Sequence, residues 1–177
     1  MILNVDKNIV LRQLELADTP DIFNTIDTQR EHLGSWLPFV ETTKQLSDTQ
    51  AFVESVVNTP KDRLEYTFTI RVNDRFAGLV GFKDTDRVNK KTEIGYWLSR
   101  DFPGRGTMTR SVRTLCDFAF RELDINRIQI KCAVANTASR NIPQRLGFQL
   151  EGIERAGELL TGGIFTDLAV YSKLKGE

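Results

Sequence analysis

"DFPGRGTMTRS", residues 101–111, comes one residue after "TEIGYWLS", residues 92–99, and sets two glycines, Gly104 and Gly106, between a strand-like run and a helix-like one. A turn alone needs at most one glycine; two let the backbone approach a ligand closely. A helix N-terminus exposes unpaired N–H groups and carries about half a positive charge, so a strand, glycine loop and helix in that order make a ready anion site. The loop reads as a pyrophosphate cradle, against the plainer reading of a helix-starting turn whose glycines relieve backbone strain.

Spacing separates the phosphate motifs that compete for this loop. A P-loop, G-x-x-x-x-G-K-[ST], needs a Lys-Ser or Lys-Thr pair that the stretch lacks. The dinucleotide fingerprint G-x-G-x-x-G would put its third glycine at Thr109 and belongs after an early strand of a parallel unit.

Working outward, "YTFTIRV" and "FAGLVGFK" are strand-like runs joined at Asn73 to Arg75, and with "TEIGYWLS" they form an antiparallel meander. Earlier, "IVLRQL" alternates like a strand, and Asp18, Thr19 and Pro20 start a helix through Ile22, Phe23 and Ile26. A second helix begins at Ser47 or Asp48 and stops before Pro60. Beyond the loop, Met108, Val112, Leu115, Ala119 and Leu123 share a helical face, and "RIQIKCAV" switches to period two. A short helix from Ala138 to Leu146, strained by Pro143, precedes two strands, "FQLEGIERA" and "FTDLAVYSKL". The expectation is an α/β (α+β) fold: a mixed, mostly antiparallel sheet of about seven strands with about four helices.

The 177 residues suit a single domain, 1–177, and show no repeat or linker. Lys plus Arg and Asp plus Glu number 24 each, so no net field favours nucleic acid or an anionic membrane. The two cysteines, Cys116 and Cys132, form no C-x-x-C pair and do not cluster with the single His32, so no metal is expected. No window approaches about 18 apolar residues and "MILNVDKN" lacks a leader pattern, which points to a cytoplasmic protein.

"PGRGTM" (residues 103–108) resembles the [QR]-x-x-G-x-[GA] coenzyme-A loop of the GNAT acetyltransferases, with Pro103 in place of Gln or Arg and Met108 in place of Gly or Ala. "REHLGSWLPF" (residues 30–39), "EIGYWL", "NRIQI", the N-x-x-S of Asn136 to Ser139, "LGFQLEG" and "DLAVY" resemble, in that order, the RimJ/RimL branch, the N-terminal acetyltransferases of ribosomal proteins. The resemblance implies the GNAT fold, splayed between the fourth and fifth strands, with acetyl-CoA as donor and an amine as acceptor. It implies an acceptor that is a protein N-terminal α-amine, transfer by direct attack, and pairing into a homodimer. A small-molecule amine acceptor (polyamine, amino sugar or drug) and a catalytically silent coenzyme-A-binding module are the alternatives.

Such a transfer needs an uncharged amine, an aligned carbonyl, stabilisation of developing oxyanion charge and a donor for the departing thiolate. By resemblance, main-chain N–H groups at Tyr96, Trp97 and Leu98 hold the thioester oxygen, which implies a bulge near Gly95. Gly104, Arg105, Gly106, Thr107, Met108, Thr109 and Arg110 meet the phosphates, and Asn136 bonds pantetheine or fixes the strand end. Ser139 is the implied proton donor or, on the plainer view, a helix N-cap. Some relatives use a Tyr where this chain has Pro143, which has no proton to give. Glu93 is a candidate base or a solvated strand carboxylate. A peptide α-amine has a pKa of roughly 8, so a tenth or so is neutral at physiological pH and little is asked of its base. Trp36, Leu37 and Phe39 are candidate acceptor-cleft walls, with His32 as a second base and Tyr171 and Asp167 as floor residues; each has a plain structural reading.

Overall fold

The computed structural model describes residues 1–104 and 106–177. The described residues form one sheet of eight strands: β1 (Ile2–Asn4), β2 (Ile9–Gln13), β3 (Thr67–Val72), β4 (Arg75–Asp86), β5 (Lys91–Leu98), β6 (Arg127–Ala133), β7 (Gln149–Leu160) and β8 (Ile164–Leu174). Their spatial order is β1-β2-β3-β4-β5-β6-β8-β7. Each neighbouring pair is antiparallel except β5 and β6. The helices are α1 (Thr19–Thr28), α2 (Arg30–Gly34), α3 (Phe39–Thr42), α4 (Leu46–Val57), α5 (Thr107–Glu122) and α6 (Thr137–Arg145).

Two counts differ from the sequence reading. The eighth strand is β1, three residues too short to show a period, paired with β2 through Leu3 and Leu11. The four helices become six because the segment between the first two expected helices, which carries the candidate wall residues Trp36, Leu37 and Phe39, coils into α2 and α3, whose buried anchors are Leu33 and Val40.

The sheet is covered on both faces. On one, Met108, Val112, Leu115 and Ala119 of α5 are 5% exposed or less and meet Phe68, Ile70, Ile128 and Ile130. Burying a side chain the size of Met108, Val112 or Leu115 contributes about 1.5–3 kcal/mol, so this stripe fixes how α5 crosses the strands. On the other face Ile22 and Ile26 of α1, Leu33, Val40 and Val53 pack on Leu79 and Trp97. Asp18, fully buried, anchors the start of α1: it accepts the Glu15 N–H at 2.9 Å and pairs with Arg12 of β2 and Arg71 of β3.

The parallel contact between β5 and β6 is short. Register runs only from Lys91↔Arg127 to Glu93↔Gln129, after which the strands part. These are the fourth and fifth strands of the sequence reading, so the expected splay is present. The expected bulge near Gly95 is not, because β5 stays in unbroken register with β4 from Glu93 to Leu98; the irregularity lies between Lys83 and Asp86. The gap opens beyond Glu93 on the β6 side while β5 stays paired with β4 through Leu98. Among the described residues no helix is long and apolar enough to cross a membrane.

Candidate active site

Strand parity decides which main-chain groups face the gap. The Ser99 N–H donates to Ala77 O at 2.7 Å, toward β4, while Lys90 O accepts the Asn126 N–H at 2.7 Å, toward β6. Alternation along β5 then turns the polar groups of Tyr96 and Leu98 into the gap and those of Trp97 toward Leu79. The sequence reading is corrected at Trp97: its amide belongs to the sheet, and its ring packs edge-on to Phe76 at 5.8 Å.

The glycine loop has the form that an anion cradle requires. Gly104 and Gly106 have φ of 70° and 67°, the left-handed region that favours glycine, and a Cβ at either would meet nothing within 4 Å. Gly106 caps α5, and its carbonyl accepts the first helical bond, from the Arg110 N–H at 2.9 Å. Among the described residues no acceptor pairs with the N–H groups of Gly104, Gly106, Thr107, Met108 or Thr109. The Met108 side chain, where the motif has a small residue, turns into the core at 5% exposure. Arg110 pairs with Asp6. Arg105 lies outside the described residues.

Across the gap stands the start of α6. Asn136 is its N-cap and accepts the Ser139 N–H at 3.1 Å, so capping falls to Asn136 and the Ser139 hydroxyl is released from it. Ser139 Oγ lies 3.3 Å from both Tyr96 Oη and Cys132 Sγ. Pro143 explains the third contact. Lacking an N–H, it leaves Ser139 O without its helical donor, and the Tyr96 hydroxyl donates there at 3.0 Å. Burial, reinforced by Cys132, holds the Tyr96 hydroxyl well above its ordinary pKa, so it stays a neutral phenol. Burial likewise raises the Cys132 thiol, and pushes Cys116 up to about 12.

On the opposite face of the sheet a cleft of about 810 Å³ runs from the helices to Tyr96, a volume within the range of small-ligand sites. Leu37, Phe39, Ile22, Ile26 and Phe52 give it apolar walls. Trp36 is half-buried beside it and does not line it; His32 is exposed, with Nε2 3.4 Å from Leu98 O. Tyr171 is corrected: at 1% exposure it is core, and its hydroxyl accepts from Arg140 and Gln144, at 3.2 Å each.

Two carboxylates stand at the inner end of this face. Glu93 sits where β5 and β6 part, 8% exposed, paired with Lys83 at 2.9 Å and accepting from Gln129 Nε2 at 3.3 Å. Glu158 lines the cleft and was not singled out from the sequence. Register explains its place: Glu154 faces Leu168 and Glu158 faces Thr166, so residues 155–157 bulge opposite the single Asp167. Asp167, read as a floor residue, pins the bulge by accepting the Ala156 N–H at 2.7 Å, with Ala156 at φ 49°. Burial raises the Glu158 pKa above the ordinary carboxylate range, Lys83 pulls it back and Glu93 pushes it up again. Among the described residues no three His, Cys, Asp or Glu side chains gather as a metal site would require.

The acetyltransferase (GNAT) domain family matches residues 8–149. YdaF of Bacillus subtilis (strain 168) is 35% identical over 179 residues, covering 98% of this chain and 94% of its own. RimL, a ribosomal L7/L12 alpha-N-protein acetyltransferase solved with coenzyme A, superposes with a TM-score of 0.94 at 27% identity over 98% of both chains. The microcin C7 self-immunity acetyltransferase MccE, solved with acetyl-CoA and AMP, gives 0.90 at 28% identity, covering 96% of this chain and 94% of its own. The splay and the matched sequence converge: the chain belongs to the acetyltransferase (GNAT) family and is an acetyl-CoA-dependent N-acetyltransferase.

Proposed function

We propose that this chain acetylates a protein N-terminal α-amine, drawn into the cleft while the thioester enters the splay from the opposite face. The observation that carries this is Tyr96, which borders the cleft and also sends its hydroxyl to Ser139 across the sheet. Bound acetyl-CoA supplies the activated acetyl group. The N–H groups of Gly104 and Gly106 through Thr109 seat its diphosphate, and those of Tyr96 and Leu98 face the pantetheine arm and the thioester oxygen. Glu158 takes the amine proton. Glu93, tied to Lys83 and Gln129, acts through Glu158 by keeping its pKa up. Ser139 Oγ–H meets the departing thiolate, whose negative charge strengthens that hydrogen bond.

The open, apolar cleft suits the first residues of a chain better than a polycation, which needs carboxylates along its length. Of the acidic residues lining it, Asp48 is already occupied, accepting the Lys44 and Gln45 N–H groups at 2.9 and 3.0 Å. Thiol release over a panel of peptides, polyamines and amino sugars tests the acceptor. A peptide is expected to exceed any polyamine in kcat/KM by at least about tenfold, a difference of 1.4 kcal/mol. A polyamine or drug amine at the head of the panel would transfer the reading to small molecules.

Ser139→Ala is expected to lower kcat by about ten- to a hundredfold, the worth of one hydrogen bond to a charged group, with the KM for acetyl-CoA nearly unchanged. Unchanged turnover removes Ser139 from the chemistry.

A further inference from the structure

Gln29 stands where α1 gives way to α2, at φ −129° and ψ 31°, with only 5% of its surface exposed. Its side chain bonds entirely to a segment some 70 residues further along the chain. Nε2 donates to Ser99 Oγ at 2.8 Å and to Asp101 Oδ2 at 3.2 Å, and Oε1 accepts the Arg100 N–H at 2.9 Å. Ser99 Oγ in turn accepts the Asp101 N–H at 3.2 Å, and Ser99 O accepts the Phe102 N–H at 3.2 Å. One buried carboxamide thus holds Ser99, Arg100 and Asp101, the first three of the five residues that lead from the end of β5 to Gly104.

On its other side the same residue belongs to the cleft. Ile22 and Ile26 lie on the helix it terminates, and Leu37 and Phe39 follow from the helix it precedes. A carboxamide is suited to this place because it donates and accepts at one head. A carboxylate would confront Asp101 with like charge, and an apolar side chain would leave the part-buried Arg100 N–H without its acceptor.

We propose that Gln29 is a positioning residue that couples the acceptor cleft to the coenzyme loop, so that a ligand on either site tightens the other. The inference rests on the reading that Gly104 and Gly106 through Thr109 seat the diphosphate. Binding of coenzyme A at that loop is passed through residues 99–101 and Gln29 to the wall carried by α1 and α2. Linkage makes the effect reciprocal.

Isothermal titration of the full chain with coenzyme A, with and without a saturating acceptor peptide, measures the coupling. In the wild type each ligand is expected to tighten the other by about fivefold or more. Gln29→Met brings that factor to about one, and so does Gln29→Glu, which sets a carboxylate against Asp101. Adding Asp101→Asn to Gln29→Glu restores a donor opposite an acceptor with polarity exchanged. The coupling is then expected to return to within about twofold of the wild type, the signature of a direct pair. A merely structural role would lower the melting temperature and leave the coupling factor alone. A folded Gln29→Met variant with wild-type coupling overturns the proposal, as does a folded double variant that fails to recover. Should Gln29→Met not fold, the exchanged pair decides. If the wild type does not bind coenzyme A at all, the loop reading falls and this inference with it; if it binds but shows no coupling, only the inference falls.

Discussion

Replacing Glu158 by glutamine is expected to lower kcat about a hundredfold at neutral pH, the low end of what a positioned general base contributes, because an α-amine is already partly neutral. The wild-type kcat/KM should fall on acidification through two ionisations, that of the amine and that of a carboxylate titrating above its ordinary range. In Glu158→Gln only the amine limb remains. Glu93→Gln is expected to keep the carboxylate limb but move it to lower pH, since Glu93 is one of the charges holding the Glu158 pKa up.

Stability moves the other way, and the sign follows from the direction of the shift. A carboxyl whose folded pKa is raised binds its proton more tightly in the folded state, so its contribution is present at acid pH and lost as pH rises through the folded pKa. Glu158→Gln should therefore melt slightly higher than wild type at neutral pH while turning over more slowly. Rates and melting curves across acid to neutral pH read both. An unchanged kcat, or a carboxylate limb that survives the substitution, removes Glu158 from the chemistry.

Gly78→Ala is expected to destabilise the protein by on the order of 3 kcal/mol, the upper end for overpacking, because the obstacle is main chain. A Cβ on Gly78 would stand 2.2 Å from Trp97 O and 3.0 Å from Leu98 Cα. Neither can rotate away. Gly78 pairs with Leu98 just beyond an irregularity between β3 and β4, so relief requires β5 to retreat where Tyr96 and Leu98 face the gap. Part of the stability loss should therefore appear as weakened coenzyme-A binding. Chemical denaturation gives the first quantity and titration the second. A variant with wild-type stability would mean that β4 and β5 do not approach as closely as described.

Much of this was legible in the sequence, for physical reasons that differ by element. The α5 stripe from Met108 to Ala119 and the alternation of Ile128, Ile130 and Cys132 report a buried face directly, and both are where the pattern put them. The loop was legible because left-handed backbone leaves few choices besides glycine. Asn136 and Ser139 were both singled out, but which one caps α6 depends on where the helix begins, a matter of one turn.

Glu158 was out of reach because its orientation depends on a bulge opposite Asp167, and a register shift leaves no trace in periodicity. Tyr171 misled because a hydroxyl bonded only within the protein looks, in sequence, like one offered to a substrate. Gln29 gave no signal at all. Its partners lie some 70 residues away, beyond the span of any local pattern.

The three-residue contact between β5 and β6 is a seam between two leaves of one sheet. If pantetheine lies along the open stretch, as proposed above, the co-substrate becomes an interlayer that closes the protein on itself. At a hundred times its dissociation constant it adds about 2.7 kcal/mol to the cost of unfolding, a large share of what a domain of this size commands. Degradation draws on the unfolded fraction, so the donor-bound enzyme is expected to resist proteolysis better than the free one.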